Sequence, residues 1–435
     1  MKNRFKILTF SAVLAIAFTA CNDDDPANVA AGFTITPEDN IQVGDTVFFS
    51  NTSTEALTFV WSFGDGETST EADPFHIYNE PGVYDVTLVA ANGDLTDMIS
   101  RQVNVAADLT YIINYGSYSG DKATVSAYNK YTDEVINEYY TSVNGVNMVS
   151  NVQYAYNYNG NIYMMGNNSD QVFWVDNKTF EQTSNAITEG IVKPRYCVGQ
   201  DDYLYVSCWG GDIWADESLS YIAKIDLSSK TVESTIVLPG GPEGLEIAND
   251  KLYAALNYKD SVAVIDLNTD AVSYIETPAV SSYFLKDASE NLYVSFVSTF
   301  SDYSESAGLG YINTTNNELE ATYVLPGVST SYVNLLEPNA DFSKLYLMTS
   351  AYDANWNLSG AVAVFDVAAK SFESENLIEG VLGLNGVAFY DGKLFTFVSE
   401  SATSNGKVVT YLPDGTQLSE YETGISPFML LEIEN

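Results

Sequence analysis

The sequence predicts an all-β protein in which a small Ig-like β-sandwich precedes a seven-bladed β-propeller. Three observations carry this. From Leu109 onward one unit recurs: a short strand, a turn, a "Leu-Tyr-Val" strand, a variable loop, an alternating strand ending in Asp, and a last strand. Its third strand aligns at Val125 to Tyr128, Val172 to Asp176, Ile222 to Asp226, Val262 to Asp266, Leu309 to Ile312, Val362 to Asp366 and Val408 to Leu412. The starts lie 47, 50, 40, 47, 53 and 46 residues apart, the length of a four-stranded propeller blade. Within a unit, Val262-Ala263-Val264-Ile265-Asp266 sends successive side chains to opposite faces, and Asn268-Thr269-Asp270 supplies turn formers. Ahead of the repeat, Val47-Phe48-Phe49, Phe59-Val60-Trp61 and Tyr84 to Val89 read as short strands parted by turn residues. The expected organisation is residues 1–20 a signal peptide, 21–31 an acidic linker, 32–106 the sandwich and 107–435 the propeller.

Ring closure is legible as well. The first unit starts at Tyr111-Ile112-Ile113-Asn114-Tyr115-Gly116 without the inner strand that precedes this position elsewhere. Pro427-Phe428-Met429-Leu430-Leu431-Glu432-Ile433 has the pattern of Pro242-Glu243-Gly244-Leu245-Glu246-Ile247, with no blade after it. The C-terminal segment is therefore expected to supply the missing strand, which leaves no free sheet edge.

In the sandwich, Trp61-Ser62-Phe63-Gly64-Asp65-Gly66, Pro74-Phe75-His76-Ile77-Tyr78 and Pro81-Gly82-Val83-Tyr84-Asp85-Val86-Thr87-Leu88 resemble a PKD domain throughout its length. Trp61 and Phe63 are expected in the core, Gly64 and Gly66 at positive φ, and Pro81-Gly82 in the turn into the next strand. His76 falls inside this structural motif and is expected to be packed and hydrogen-bonded. The domain's expected role is a stalk.

The N-terminus decides location. Lys2, Arg4 and Lys6 precede an apolar run from Ile7 to Phe18, and Thr19-Ala20 places small residues before Cys21. The run is too short for the about 20 residues that span a bilayer. It resembles a bacterial lipoprotein signal with Cys21 as the lipidated first residue. Asn22-Asp23-Asp24-Asp25 follows at once and resembles the surface-export signal of Bacteroidota lipoproteins, which implies the outer face of the outer membrane; the alternative is a solvated acidic linker.

The formal charge is -40, and loss of the three basic leader residues makes it -43. Such a balance repels phosphate backbones and excludes nucleic acid as a partner. The chain holds one histidine, which weighs against histidine-dependent chemistry and metal ligation. After removal of the leader and acylation of Cys21, Cys197 and Cys208 are the remaining thiols. A tight turn at Gln200-Asp201-Asp202 sets Cys197 opposite Tyr205 or Val206, so both are expected as buried thiols beyond disulfide reach.

In a propeller the loops before the inner strands and those between second and third strands share one face. Those loops hold Tyr115, Tyr118, Trp209, Trp214, Tyr258, Phe300, Tyr303, Tyr352 and Trp356. The candidate ligand contacts are Tyr115, Tyr118, Trp209, Trp214, Tyr258, Tyr303, Tyr352 and Trp356. Aromatics in polar loops suit a broad ligand with apolar faces and hydrogen-bond acceptors; the alternative is rings folded back onto the blade tops.

The repeat resembles the seven-bladed YncE-like (YVTN) surface-layer propellers. Tyr115-Gly116-Ser117-Tyr118, Asn167-Asn168-Ser169-Asp170-Gln171-Val172, Asp176-Asn177-Lys178-Thr179-Phe180 and Pro194-Arg195-Tyr196 look most like BtuG-type lipoproteins. That resemblance spans residues 109–435 and is concentrated in the first three blades. It implies capture of a cobamide, a small-molecule ligand of corrinoid class, for a TonB-dependent transporter at the outer membrane, with no catalytic residues and no cofactor. An added PKD stalk departs from that family's pattern. Two other classes remain. One is adhesion to glycan or protein, with sugar faces stacked on Trp209 or Trp356. The other is a metal-dependent hydrolase weakly resembling lactonase propellers, with Glu243, Asn385 and Asn334 at inner-strand entrances offering oxygen ligands. For these three the structural alternative is that Pro-x-Gly recurs where the chain turns into a crowded channel.

Overall fold

The computed structural model describes residues 28–38, 41–106, 108–117, 120, 122–183, 185–297, 307–325, 335–352 and 358–433, without the side chains of 350–352 and 358. The chain forms two compact units, Met1–Asp108 and Leu109–Asn435. Cys21 and the acidic residues after it lie outside the described residues.

The first unit is a sandwich. One sheet carries Phe33–Thr36, Thr46–Asn51 and Phe75–Ile77; the other carries Ile41–Gln42, Leu95–Ala106, Gly82–Asn92, Thr58–Ser62 and Thr68–Ser69. Alternation along Thr46–Asn51 and Gly82–Asn92 turns Val47, Phe49, Val86 and Leu88 inward, where they pack with Phe33, Trp61, Phe63 and Tyr78. Trp61 is fully buried and its indole donates to Glu71 O at 2.9 Å. Gly64 and Gly66 take φ of 92° and 104°, as the turn demands. His76 is buried, stacks on Phe63 at 4.2 Å and holds Asp65 Oδ2 at 2.6 Å through Nε2. It is a packing residue of the kind the motif implied.

The second unit is a seven-bladed propeller, with seven antiparallel sheets among the described residues. From the axis outward, the third blade runs Pro194–Gln200, Tyr203–Cys208, Tyr221–Asp226 and Thr231–Val237. The other inner strands, from blade 1, are Pro427–Leu431, Val152–Tyr158, Pro242–Ala248, Val280–Lys286, Leu336–Pro338 and Leu384–Tyr390. Each packs on the next, and Pro427–Leu431 touches both Leu384–Tyr390 and Val152–Tyr158, so the ring is closed. Pro427–Leu431 also pairs antiparallel with Leu109–Asn114, with Leu430 opposite Ile112. The last segment of the chain thus completes the first blade.

The alternating third strands have a physical reason. Ala263 and Ile265 pack into the core shared with Val198 and Leu245, whereas Val262 and Val264 pack into the core containing Phe284 and Phe296. Both faces of a blade are covered by neighbours, so both sets of side chains are apolar. The strand's final Asp then caps the turn from its own side chain: Asp226 Oδ1 accepts from Ser228 N and Ser229 N at 2.7 and 2.9 Å. Cys197 pairs with Val206 and Cys208 with Pro194; both thiols are buried and free.

Candidate functional site

Six inner strands share an irregularity at the start. The ladder begins with one pair, such as Pro194 with Cys208, or with two in the strand Val280–Lys286, then skips one or two residues before it resumes. A bulge of this kind breaks the pleat and re-aims a side chain. The first skipped residues are Gln153, Arg195, Glu243, Ser282, Asn385 and Phe428. They form a mostly polar ring at one end of the axial channel. The next residues in two strands are Gly244 and Gly386, where a Cβ would meet Ser282 O at 2.4 Å and Phe428 O at 2.0 Å of the following blade. Glycine is required there because the inner strands crowd each other, which supports the structural reading of the Pro-x-Gly pattern.

Arg195 and Glu243 dominate this ring. The guanidinium donates from Nε to Oε2 at 2.9 Å and from Nη2 to Oε1 at 2.6 Å, and both side chains are nearly buried at 12% and 4% exposure. Burial opposes the charge on Arg195, but Glu243 outweighs it through charge and hydrogen bonds and holds the guanidinium above its already high ordinary pKa. The Arg195 carbon lies 4.1 Å over the Trp209 ring, a cation–π contact strengthened by burial. Glu243 is therefore engaged by a cation of the protein itself. Asn385 donates to Pro427 O at 2.8 Å, and Asn334 lies outside the described residues. Among the described residues no group of three His, Cys, Asp or Glu is placed to hold a metal ion.

The loop aromatics build outward from this pair. Trp209 meets Tyr258 edge to face at 5.9 Å, and Tyr258 meets Trp214 at 5.4 Å and 90°. Trp214 is 66% exposed, whereas Trp209 and Tyr258 are half-buried. Burial, with Glu243 next in effect, pushes the Tyr258 phenol up to about 12. Gly241, at φ 65°, leaves room for the Tyr258 ring, which a Cβ would meet at 2.5 Å. On the far side Tyr115 packs edge to face on Phe428 at 6.3 Å and lies within electrostatic reach of Arg195.

Of the eight expected contacts, Trp209, Trp214 and Tyr258 come together and Tyr115 faces the same charged pair. Trp209 acts as a platform under Arg195, the folded-back arrangement weighed as the alternative. Tyr118, Tyr303 and Trp356 lie outside the described residues. Tyr352 ends the strand Lys344–Tyr352 rather than sitting in a loop, because that strand outlasts its counterparts; its side chain is not described. Sequence reasoning missed the Arg195–Glu243 pair. Both residues follow a proline, Pro194 and Pro242, as Phe428 follows Pro427, but Gln153, Ser282 and Asn385 do not, so proline alone does not mark the bulges.

The fold and mouth define a class: a PKD domain joined to a seven-bladed propeller with a charged, aromatic-edged channel entrance. A PKD domain family model matches residues 25–106, and the model of a family described as "Domain of unknown function (DUF5074)" matches residues 108–332. The latter covers just over half of the chain, which belongs to that family. Collagenase ColA of Bacillus cereus is 53% identical over 34 residues, 8% of this chain and 4% of that enzyme. A quinonprotein alcohol dehydrogenase-like protein of Bacteroides thetaiotaomicron superposes with a TM-score of 0.53 at 18% identity, over 90% of this chain and 95% of that one. A Bacteroides uniformis protein named as a candidate 6-phosphogluconolactonase gives 0.54 at 11% identity, over 74% and 99%. At these identities the likeness is one of fold.

Proposed function

We propose that this protein is a non-enzymatic capture protein whose ligand seats on the channel mouth. The observation that supports it most is the ring of bulged side chains, in which Arg195 lies on Trp209 and both Arg195 and Glu243 lie within electrostatic reach of Tyr258. Glu243 and Nε of Arg195 satisfy each other, so the site offers a fixed guanidinium edge and aromatic faces instead of an open cation site. A large amphipathic molecule with acceptor groups on its rim suits that arrangement, and a cobamide has this character. The rigid ring limits the ordering cost of binding. In this reading Cys21 carries the lipid, Asp23, Asp24 and Asp25 direct display outside the outer membrane, and a TonB-dependent transporter receives the ligand.

Titration of purified protein with cyanocobalamin and cobinamide by calorimetry tests the ligand, with soluble glycans as the competing panel. Saturable corrinoid binding that weakens about tenfold or more in Trp214→Ala is expected. No corrinoid binding at micromolar concentration removes the cobamide assignment. Unchanged affinity in the variant removes the aromatic mouth.

A further inference from the structure

The inner strands that carry Arg195, Glu243 and Ser282 at the mouth finish on the opposite side of the ring, at Gln200, Ala248 and Lys286. A cavity of about 460 Å³ opens at these strand ends, lined by Tyr156, Gln200, Glu246, Asp250, Lys286 and Glu290. Val198 and Ile247 give it an apolar part. Its volume is toward the lower end of small-molecule sites and accommodates one or two sugar rings.

Its walls are held by bonds that leave polar groups open. Lys286 Nζ donates to Ile247 O at 2.8 Å and stands 3.4 Å from Glu246 Oε1 and 3.8 Å from Glu290 Oε2. One lysine thus ties carboxylates from two adjacent blades. Asp250 is presented by a turn in which Asn249 and Asp250 take φ of 48° and 57°. Asn249 pins that turn to the next blade by donating to Thr314 Oγ1 at 2.6 Å. The Gln200 amide and the Asp250 carboxylate make no hydrogen bond to a described residue. Tyr156 stands in a row of stacked rings, 6.3 Å from Tyr154 and 5.9 Å from Tyr158, and Tyr154 in turn stacks on Tyr196 at 3.6 Å, which fixes this aromatic wall.

We propose that this cavity is a second binding site, apart from the mouth, and that it takes a neutral sugar of one or two rings. The mixture of groups selects the ligand. Carboxylate oxygens accept, the lysine ammonium donates and the Gln200 amide does both, so the wall suits a ligand whose groups do both at close spacing. Adjacent hydroxyls of a sugar ring have that property, and the less polar face of the ring suits Tyr156, Val198 and Ile247. Charged ligands fit less well. An anion meets three carboxylates. A cation must compete with Lys286 for Glu246 and Glu290, and Asp250 and Glu290 lie on exposed turns where water and salt screen them. A neutral polyol leaves the Lys286 ion pairs intact and adds hydrogen bonds to ionised groups, which are the stronger kind.

Maltose, cellobiose, lactose and sucrose are the probes, each titrated by calorimetry into the purified two-domain protein at millimolar concentration. Fully O-methylated maltose is the control that keeps the rings and loses every hydroxyl donor. Expected are saturable binding of at least one disaccharide and none of the methylated sugar. Lys286→Met and Gln200→Ala should each weaken binding about tenfold or more. Gln200 bonds to no described residue through its side chain, so its truncation spares the fold even where Lys286→Met does not. Trp214→Ala should leave binding unchanged, which separates this site from the mouth. No saturable heat with any of the four sugars, equal binding of the methylated one, or unchanged affinity in Gln200→Ala overturns the proposal. Loss of sugar binding in Trp214→Ala would move the sugar to the mouth, and tighter binding of 1,4-diaminobutane than of any sugar would make this a cation site; either result overturns the assignment.

Discussion

Arg195 and Glu243 start the inner strands of adjacent blades, 48 residues apart, and meet in a bidentate ion pair above the Trp209 ring. Each is presented by a bulge and each is nearly removed from water. The pair spans a blade-to-blade seam at the narrow centre of the ring, so it acts on registry between blades as well as on the chemistry of the mouth.

Removing one partner strands the other. Glu243→Gln is expected to destabilise the propeller by about 3 to 5 kcal/mol, because a buried guanidinium loses its counter-charge. Arg195→Met combined with Glu243→Leu should recover most of that loss. Denaturant unfolding of both single variants and the double variant gives the coupling, and additive losses would show that the two residues act independently.

The C-terminal strand should matter more than termini usually do. Deleting residues 427–435 strips Leu109–Asn114 of its inner neighbour and removes the packing of Pro427–Leu431 on two other inner strands. Chain ends are dispensable unless tied down, and this one closes the ring. The truncated protein should melt well below the full-length one in scanning calorimetry. Equal midpoints would mean that the first blade does not depend on this strand.

What the sequence revealed and what it concealed follow from distance along the chain. Asp176, Asp226, Asp266 and Asp366 mark blade after blade because each accepts from backbone N–H groups two or three residues on, an interaction contained in a few residues. Pro427 to Leu431 was legible because it repeats the Pro242 pattern, and a repeat states its own missing part. The Tyr154–Tyr196 stack and the Arg195–Glu243 pair were not legible. They join separate blades, and their contacts depend on ladder register plus a bulge that no local pattern encodes. The same holds for Tyr154, Tyr156 and Tyr196 on the inner strands, which are half-buried and pack against the cores between blades.

The proposed anchor makes a prediction of its own. Cys21→Ala should leave the protein without lipid, whereas replacing Asp23, Asp24 and Asp25 together should keep the lipid and lose surface display. The acidic triplet two residues after Cys21 motivates this. Protease treatment of intact cells reads it out, and undiminished cleavage of the triplet variant would assign those residues to a plain linker.

Glu337 sets a pH dependence whose sign is fixed. Its ordinary value is 4.5 and the folded one about 8, so between those limits the native state keeps a proton that the unfolded chain has lost. Stability from this group is therefore complete below the lower limit and declines as pH rises through the interval, reaching its full loss above about 8. Glu432 and Tyr196 lie within electrostatic reach of the group and neither supplies a positive charge. Glu337→Gln keeps the shape of the protonated acid and cannot ionise. At pH 5 the variant and the parent should melt together; at pH 9 the variant should melt higher, and its profile across that range should be flatter. Parallel profiles would show that Glu337 ionises in the folded protein as easily as in the unfolded chain, and that water in the channel solvates it.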